Sequence, residues 1–334
     1  MLNEMIHIPD ALLNANVEEL NNILGAPTLF HLNGTNKQPL FICTLLHGNE
    51  TTGFYAIQRL LQKYRHKTLP RAVSLFIGNV AAAERNQRHL DTQDDYNRIW
   101  PGSHHNESAD KDIMQTVTNI MQKNKPFASI DIHNNTGKNP HYACINNLNP
   151  HGLVLASKFS DVAVYFTTPK GVQSSAFSDF CPSVVLECGQ SGDKSGVDHA
   201  LQFLETVLQM EGLRPPEKSE ITLYHTIARV IIPKTVVLSE QASSDGDIIL
   251  NKKLEEKNFQ QIQSGTEFAT ANSTKEKLLL VSNESDEDIS NEYIERKNDH
   301  LVLKKTVTLA MFTTNTKAIR QDCVCYFMEE LHIG

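Results

Sequence analysis

An α/β layer fold followed by a smaller all-β domain is the architecture this sequence predicts, and three observations carry the prediction. Between residues 40 and 210, apolar strand-like runs alternate with amphipathic stripes of helical period. At Gly212-Leu213-Arg214-Pro215-Pro216-Glu217 the composition turns stiff and polar, as an inter-domain linker does. Beyond it the apolar segments are short, β-branched and mostly without helical period. The division expected is residues 1–214 as an α/β domain that carries the chemistry and 215–334 as a β-rich domain.

The first strand expected runs from Phe41 to Leu45, and after a tight turn Phe54 to Tyr64 reads as a helix. Val73 to Ile77, Ser129 to His133, Val162 to Phe166 and Val184 to Cys188 read as further strands. Between them Ile113, Met114, Val117, Ile120 and Met121 form a stripe at the 3.6-residue period. A second stripe is Val197, Ala200, Leu201, Leu204, Val207 and Leu208, and both read as core-facing helix sides. In the C-terminal half, strands are expected at Leu223 to Ile232, Lys277 to Val281, Leu301 to Met311 and Cys323 to Met328. Residues 282–300 are acidic and polar and read as a solvated loop. No internal repeat is visible.

Composition excludes several classes of function. The chain has 334 residues, 40% hydrophobic and 21% charged, the ordinary balance of a soluble globular protein. A formal net charge of −8 with no basic stripe argues against nucleic acid. No apolar run approaches the roughly 18 residues of a membrane span. The segment Met1 to His7 lacks the basic-then-apolar pattern of a secretory signal, so a cytoplasmic protein is expected. Six cysteines, at 43, 144, 181, 188, 323 and 325, are scattered as in a reduced protein. Cys323 and Cys325 share one face of a strand but have no second pair to complete a metal site.

The chemistry concentrates at the end of the first strand. Leu45-Leu46-His47-Gly48-Asn49-Glu50-Thr51-Thr52-Gly53 places an imidazole and a carboxylate three residues apart on a turn bracketed by glycines, which tolerate unusual backbone angles. Taken alone, such a pair describes a solvated turn. With one more ligand it becomes a catalytic zinc site, which wants three protein ligands and an open position. His133, ending the apolar strand Ser129 to His133 before Asn134-Asn135-Thr136-Gly137, is the best third ligand. Strand ends are where α/β sheets place ligand sites.

Two more features belong to the same half. The loop from Arg85 to Gly102 presents Asn97-Arg98 ahead of Pro101-Gly102, and a guanidinium is suited to gripping a carboxylate or an oxyanion. Glu187 ends the apolar strand Ser183 to Glu187, where burying a carboxylate is costly unless it has a purpose. Desolvation would raise its pKa and suit it to act as general base and acid. A buried salt bridge is the plainer alternative.

These features, in this order, resemble the succinylglutamate desuccinylase/aspartoacylase family, a branch of the zinc-carboxypeptidase-like enzymes. The matching motifs are His47-Gly48-Asn49-Glu50, then Asp94-Asp95-Tyr96-Asn97-Arg98, then Asp131-Ile132-His133-Asn134 with Thr136, and Leu186-Glu187-Cys188-Gly189. Asp247 to Phe259 and Ser264-Gly265-Thr266 are similar to that family's C-terminal domain. The resemblance implies a zinc-carboxypeptidase-like mixed sheet flanked by helices, with a smaller all-β C-terminal domain. It implies one Zn²⁺ per chain on His47, Glu50 and His133, with Glu187 as the base that activates water and later protonates the leaving amine. Asn97 and Arg98 would hold a substrate carboxylate, Asp95 would orient a ligating imidazole, and an upstream arginine would polarise the scissile carbonyl. Arg88 is the candidate and Arg85 its rival, because the stretch from Arg88 to Asn97 is longer than the family pattern. Between Tyr165 and Glu187 there is no arginine, and Lys170 is the one cation, so the family's particular acidic substrates transfer less readily than its activity.

The expected function is hydrolysis of the amide bond of a small N-acyl amino acid, with no nucleic-acid or membrane partner; a homo-oligomer is compatible with the sequence. A small-peptide zinc carboxypeptidase is the enzymatic alternative, which a β-domain folded over the site would disfavour. A non-catalytic zinc or ligand-binding protein is the alternative of another class, and it would not need Glu187. A cysteine hydrolase on Cys43 or Cys188 lacks the glycine-flanked strand-to-helix elbow that such nucleophiles occupy.

Overall fold

In the computed structural model, which describes residues 1–215, 221–239 and 246–332, the chain divides into two compact units. One comprises Met1–Asn134 and His141–Thr222, the other Asn135–Pro140 and Leu223–Gly334. Pro216 and Glu217 of the expected linker lie outside the described residues.

The first unit is a mixed sheet flanked by helices. Its strands are β1 (Asn3–Met5), β2 (Thr28–Leu32), β3 (Gly34–Thr44), β4 (Leu69–Ile77), β5 (Ala128–His133), β6 (Tyr142–Ile145), β7 (Val162–Tyr165) and β8 (Ser183–Glu187). They lie in the order β1-β2-β4-β3-β5-β8-β6-β7. β4, β3, β5 and β8 run parallel, whereas β2 on β4 and β6 on β8 are antiparallel. The helices are α1 (Leu20–Leu24), α2 (Thr52–Tyr64), α3 (Val80–Glu84), α4 (Ala109–Asn124), α5 (Pro150–Phe159), α6 (Gln173–Ser178) and α7 (Lys194–Gln209).

Both stripes read from the sequence face the core. In α4, Ile113, Met114, Val117 and Met121 are buried; in α7, Val197, Ala200, Phe203, Leu204, Val207 and Leu208 are, with Leu201 only half-buried. One sheet face carries Phe41 and Cys43 of β3 beneath Met114, Val117, Trp100 and Phe177, so α4 and α6 cover it. The alternate residues, including Ile132, lie on the side of α2, whose Gly53 approaches the Ile132 side chain. The central parallel strands are covered on both faces, and that is why they read as nearly continuous apolar runs.

The second unit is β-rich. β9 (Thr222–Ile231), β12 (Gln261–Ile262), β14 (Leu280–Ser282), β17 (Val307–Ala310) and β18 (Cys325–Glu330) make one antiparallel set, β14-β9-β18-β17-β12. β10 (Leu238–Ser239), β11 (Ile248–Leu250), β13 (Glu267–Ala271), β15 (Ile294–Lys297) and β16 (His300–Leu303) make a five-stranded sheet, β10-β11-β13-β16-β15. Phe268, Phe312 and Phe327 centre its core.

Two expectations are corrected here. The solvated loop expected over residues 282–300 contains a helical turn, Ser290–Tyr293, and the strand β15, which pairs with β16 across Asn298-Asp299. Asn298 takes φ 55°, a conformation asparagine tolerates, so a polar sequence closes a hairpin that hydropathy alone does not reveal. The single strand expected over Leu301 to Met311 is two, β16 and β17, separated at Lys304 to Thr306.

Residues 135–140 pack with the second unit although they follow β5. Asn139 Oδ1 accepts a hydrogen bond from the Met311 amide at 2.9 Å, and a Cβ on Gly137 would stand 2.8 Å from the Phe312 carbonyl oxygen. The chain therefore leaves the first unit directly after His133 and Asn134.

Candidate metal centre

β3 delivers its turn through Leu45, which takes φ 56°. The bracketing glycines serve a different purpose from the one expected, since neither takes a positive φ. A Cβ on Gly48 would lie 2.2 Å from the Ala83 nitrogen, and one on Gly53 would lie 2.4 Å from Thr44 Oγ1. They are glycines because neighbouring chain passes too close for a side chain. That approach presses the turn against α3 and seats α2 on β3 and β5, which aims His47 and Glu50 inward.

His47, Glu50 and His133 converge. His47 Nδ1 lies 2.7 Å from Glu50 Oε1, and His133 Nδ1 lies 2.7 Å from Glu50 Oε2. One ligand atom from each residue falls within 4.8 Å of the others, and among the described residues no other histidine, cysteine, aspartate or glutamate cluster could hold a metal ion. Both histidines are buried, and Glu50 is 12% exposed in its side chain.

The outer nitrogens are also engaged. His47 Nε2 lies 3.1 Å from Asp95 Oδ1, and His133 Nε2 lies 2.8 Å from Asp131 Oδ2. Each imidazole thus turns Nδ1 inward and rests Nε2 on a carboxylate, the arrangement that fixes tautomer and ring orientation in histidine-ligated metal sites. Two imidazole nitrogens and a carboxylate are a donor set suited to zinc. The residues present fit the ion that the family resemblance implies.

Charge is concentrated here. Burial alone would push the Glu50 carboxyl up, but the His47 and His133 imidazoles outweigh it and hold Glu50 far below the usual carboxylate range. Burial also opposes charge on His133, and the Asp131 and Glu50 carboxylates reverse that and raise it. Burial likewise disfavours charge on Asp95, yet Arg88, His47 and Arg98 hold its carboxyl well below the usual range.

The other expected residues surround this group. Arg88 Nε donates to Asp95 Oδ2 at 2.9 Å, and the Arg88 carbonyl accepts from the Gly48 amide at 3.1 Å, so Arg88 is tied once to the turn and once to the carboxylate behind His47. Arg85 is exposed at the C-cap of α3. Asn97 is buried, with Nδ2 3.3 Å from His133 Nε2 and Oδ1 accepting from the Gln173 amide at 3.0 Å. Arg98 is half-buried and donates to the Asn97 carbonyl at 2.8 Å. Glu187 is buried and is the register partner of His133 on the neighbouring parallel strand.

Two contributors lie within the Asp131-Ile132-His133-Asn134 motif but carry no expected role of their own. Asp131 stands two residues before His133 on the same face of β5, and an acidic residue inside a wholly buried strand was the signal available. Asn134 donates its amide to Glu50 Oε2 at 3.1 Å, accepts from the Thr52 amide at 3.2 Å and donates to the Gly189 carbonyl at 2.9 Å. It stitches together the ends of β5, β8 and α2. Cys43, Cys144 and Cys188 are buried free thiols pushed well up, by burial first, which does not suit a nucleophile.

Comparison with known proteins agrees with the geometry. No curated protein sequence matches the chain. Solved structures do match in fold: succinylglutamate desuccinylase from Chromobacterium violaceum is 15% identical, with 90% of this chain and 86% of that one covered and a TM-score of 0.54. A succinylglutamate desuccinylase/aspartoacylase from Rhodobacter sphaeroides is 13% identical, with coverage of 90% and 88% and a TM-score of 0.61. Murine aminoacylase 3 is 13% identical, with coverage of 88% and 96% and a TM-score of 0.58. The model of the succinylglutamate desuccinylase/aspartoacylase catalytic domain matches residues 36–212, over half of the chain and all of the residues gathered here. On that match the chain belongs to the succinylglutamate desuccinylase/aspartoacylase family, which supports a deacylase.

Proposed function

We propose that this chain is a zinc-dependent hydrolase that cleaves the amide bond of a small N-acyl amino acid, with the first unit as its catalytic domain. The observation that carries the reading is the convergence of His47, Glu50 and His133 with Glu187 in register beside His133. A zinc ion held by those three ligands supplies Lewis acidity and a more acidic water. Glu187 accepts the proton of the attacking water and returns it to the leaving amine; it ends its strand outside the ligand set and so is left to act as a base. Arg88, anchored to Asp95, contributes positive charge toward the developing oxyanion, whereas Arg85 at its helix cap is exposed. Arg98, with Asn97, holds the carboxylate of the amino acid. Asp95 keeps the His47 ring oriented.

The setting proposed is the cytoplasm, in keeping with six free, buried cysteines, and among the described residues no helix is long and apolar enough to cross a membrane. The decisive experiment measures zinc content and screens N-acyl amino acids as substrates. About one zinc per chain with release of a free amino acid supports the reading. Stoichiometric zinc with no amide hydrolysis across the screen would leave a binding protein instead.

A further inference from the structure

Beneath the candidate metal centre lies a set of polar groups that the proposed reaction does not use. Ser129, Asp131 and His133 alternate along β5 and so share the face covered by α6. Ser183 on β8 is the register partner of Ser129, and Cys43 on β3 is the register partner of Asp131. Gln173, the first residue of α6, donates through Nε2 to Ser129 Oγ at 2.8 Å, and Ser174 follows it. Asp131, Gln173 and Ser174 are 0% exposed.

Four atoms in this region have no hydrogen-bond partner among the described residues: Asp131 Oδ1, Gln173 Oε1, Ser174 Oγ and Ser183 Oγ. The Cys43 thiol lies against Asp131, but S–H is a weak donor and leaves a carboxylate oxygen poorly satisfied. Buried polar atoms are paired with protein or with ordered water, because leaving them bare is costly. The four divide into two acceptors that cannot donate, Asp131 Oδ1 and Gln173 Oε1, and two hydroxyls that can do either. A water molecule has two protons for the first pair and lone pairs for the second. Buried waters typically make about three such bonds.

We propose that an ordered internal water binds among Asp131, Gln173, Ser174 and Ser183, and that it holds the Asp131 carboxylate in position as the acceptor for His133 Nε2. The positioning part rests on the reading of His133 as a metal ligand; the water site does not. Ser183 and Gln173 are then positioning residues, acting on the centre through Asp131.

The test is a crystal structure of the full chain at a resolution that resolves ordered water, together with zinc titration against a competing chelator. Density is expected within hydrogen-bond distance of Asp131 Oδ1 and of Gln173 Oε1 or a serine hydroxyl, with or without zinc loaded. Ser183→Val, which fills the space and removes the hydroxyl, should weaken zinc binding about 10-fold, as loss of outer support does at other metal sites. Ser183→Thr, which retains the hydroxyl, should restore it. Because Ser183→Val could instead fail to fold, the wild-type density is decisive by itself: a dry floor with Asp131 Oδ1 against Cys43 alone overturns the water site. Folded Ser183→Val with unchanged zinc affinity overturns the positioning role. Wild-type protein that binds no zinc at all refutes the metal reading, and the density at Asp131 still decides the water.

Discussion

His133 and Glu187 are register partners on β5 and β8, adjacent parallel strands about 4.8 Å apart. Because paired residues on parallel strands project from the same face, the proposed ligand and the proposed base leave the sheet side by side at its C-terminal edge. Their 54-residue separation in sequence disappears through one pairing. The same edge receives the turn of His47 and Glu50 from β3, which pairs with β5 on its other side.

In the proposed mechanism Glu50 is a metal ligand and Glu187, beside His133, is the base. Glu187→Gln preserves shape and removes the base, so zinc content and the unfolding midpoint should be unchanged while kcat falls by roughly 10²–10⁴. Metal analysis and steady-state kinetics on one preparation measure both. Equal turnover by the variant would remove Glu187 from the mechanism; loss of metal would make it a ligand.

The metal itself should depend on the two imidazoles that meet at Glu50. Purified protein should hold about one zinc per chain, and His133→Ala should release it. Dialysis against a chelator should abolish hydrolysis, and added Zn²⁺ should recover it. If the double variant His47→Ala, His133→Ala retains full metal content, the centre is elsewhere.

In the proposed function Arg98 recognises the substrate carboxylate. A lysine cannot reproduce the planar two-pronged grip of a guanidinium, so Arg98→Lys should raise KM for an N-acyl amino acid several-fold more than it lowers kcat. The amide analogue of that substrate should already be poor for the wild type. Comparable kcat/KM for the acid and the amide would exclude this role.

The buried thiols give a stability prediction independent of activity. Burial pushes Cys181 and Cys323 from an ordinary value of 9.0 up to about 12. A thiol whose folded pKa is raised ionises more readily in the unfolded chain above pH 9, so its contribution is full below that pH and is lost as pH rises toward 12. The midpoint of denaturant unfolding should fall between pH 9 and 12, and Cys181→Ala should flatten the fall. A midpoint insensitive to pH over that window contradicts it. A thiol-reactive dye should meanwhile label the native chain only slowly.

Much of the centre was legible because its cues are short-range. His47 and Glu50 are three residues apart on one turn, and His133 and Glu187 each end an apolar run. The strands holding them were legible as apolar runs bounded by turns. Less legible were the short strands β1, β2 and β6, of which β1 lies at the sheet edge and β2 and β6 lie between neighbours. Asp131 was legible as part of a motif but without a role; that it supports His133 depends on both residues sharing one face of β5. The loop over 135–140 reads as part of the first domain and packs with the second, because Asn139 accepts from the Met311 amide and Gly137 comes close to the Phe312 carbonyl.

By itself the sequence determined the local elements, the domain order and the identity of the candidate ligands, since periodicity and turn spacing act over a few residues. Tertiary structure alone decided the sheet order, the register that sets Glu187 beside His133 and the placing of Asp131 behind the His133 imidazole. It also decided that Gly48 and Gly53 are required by close chain approach. Those relationships join positions tens of residues apart, and they arise only when the sheet is paired and its faces are covered.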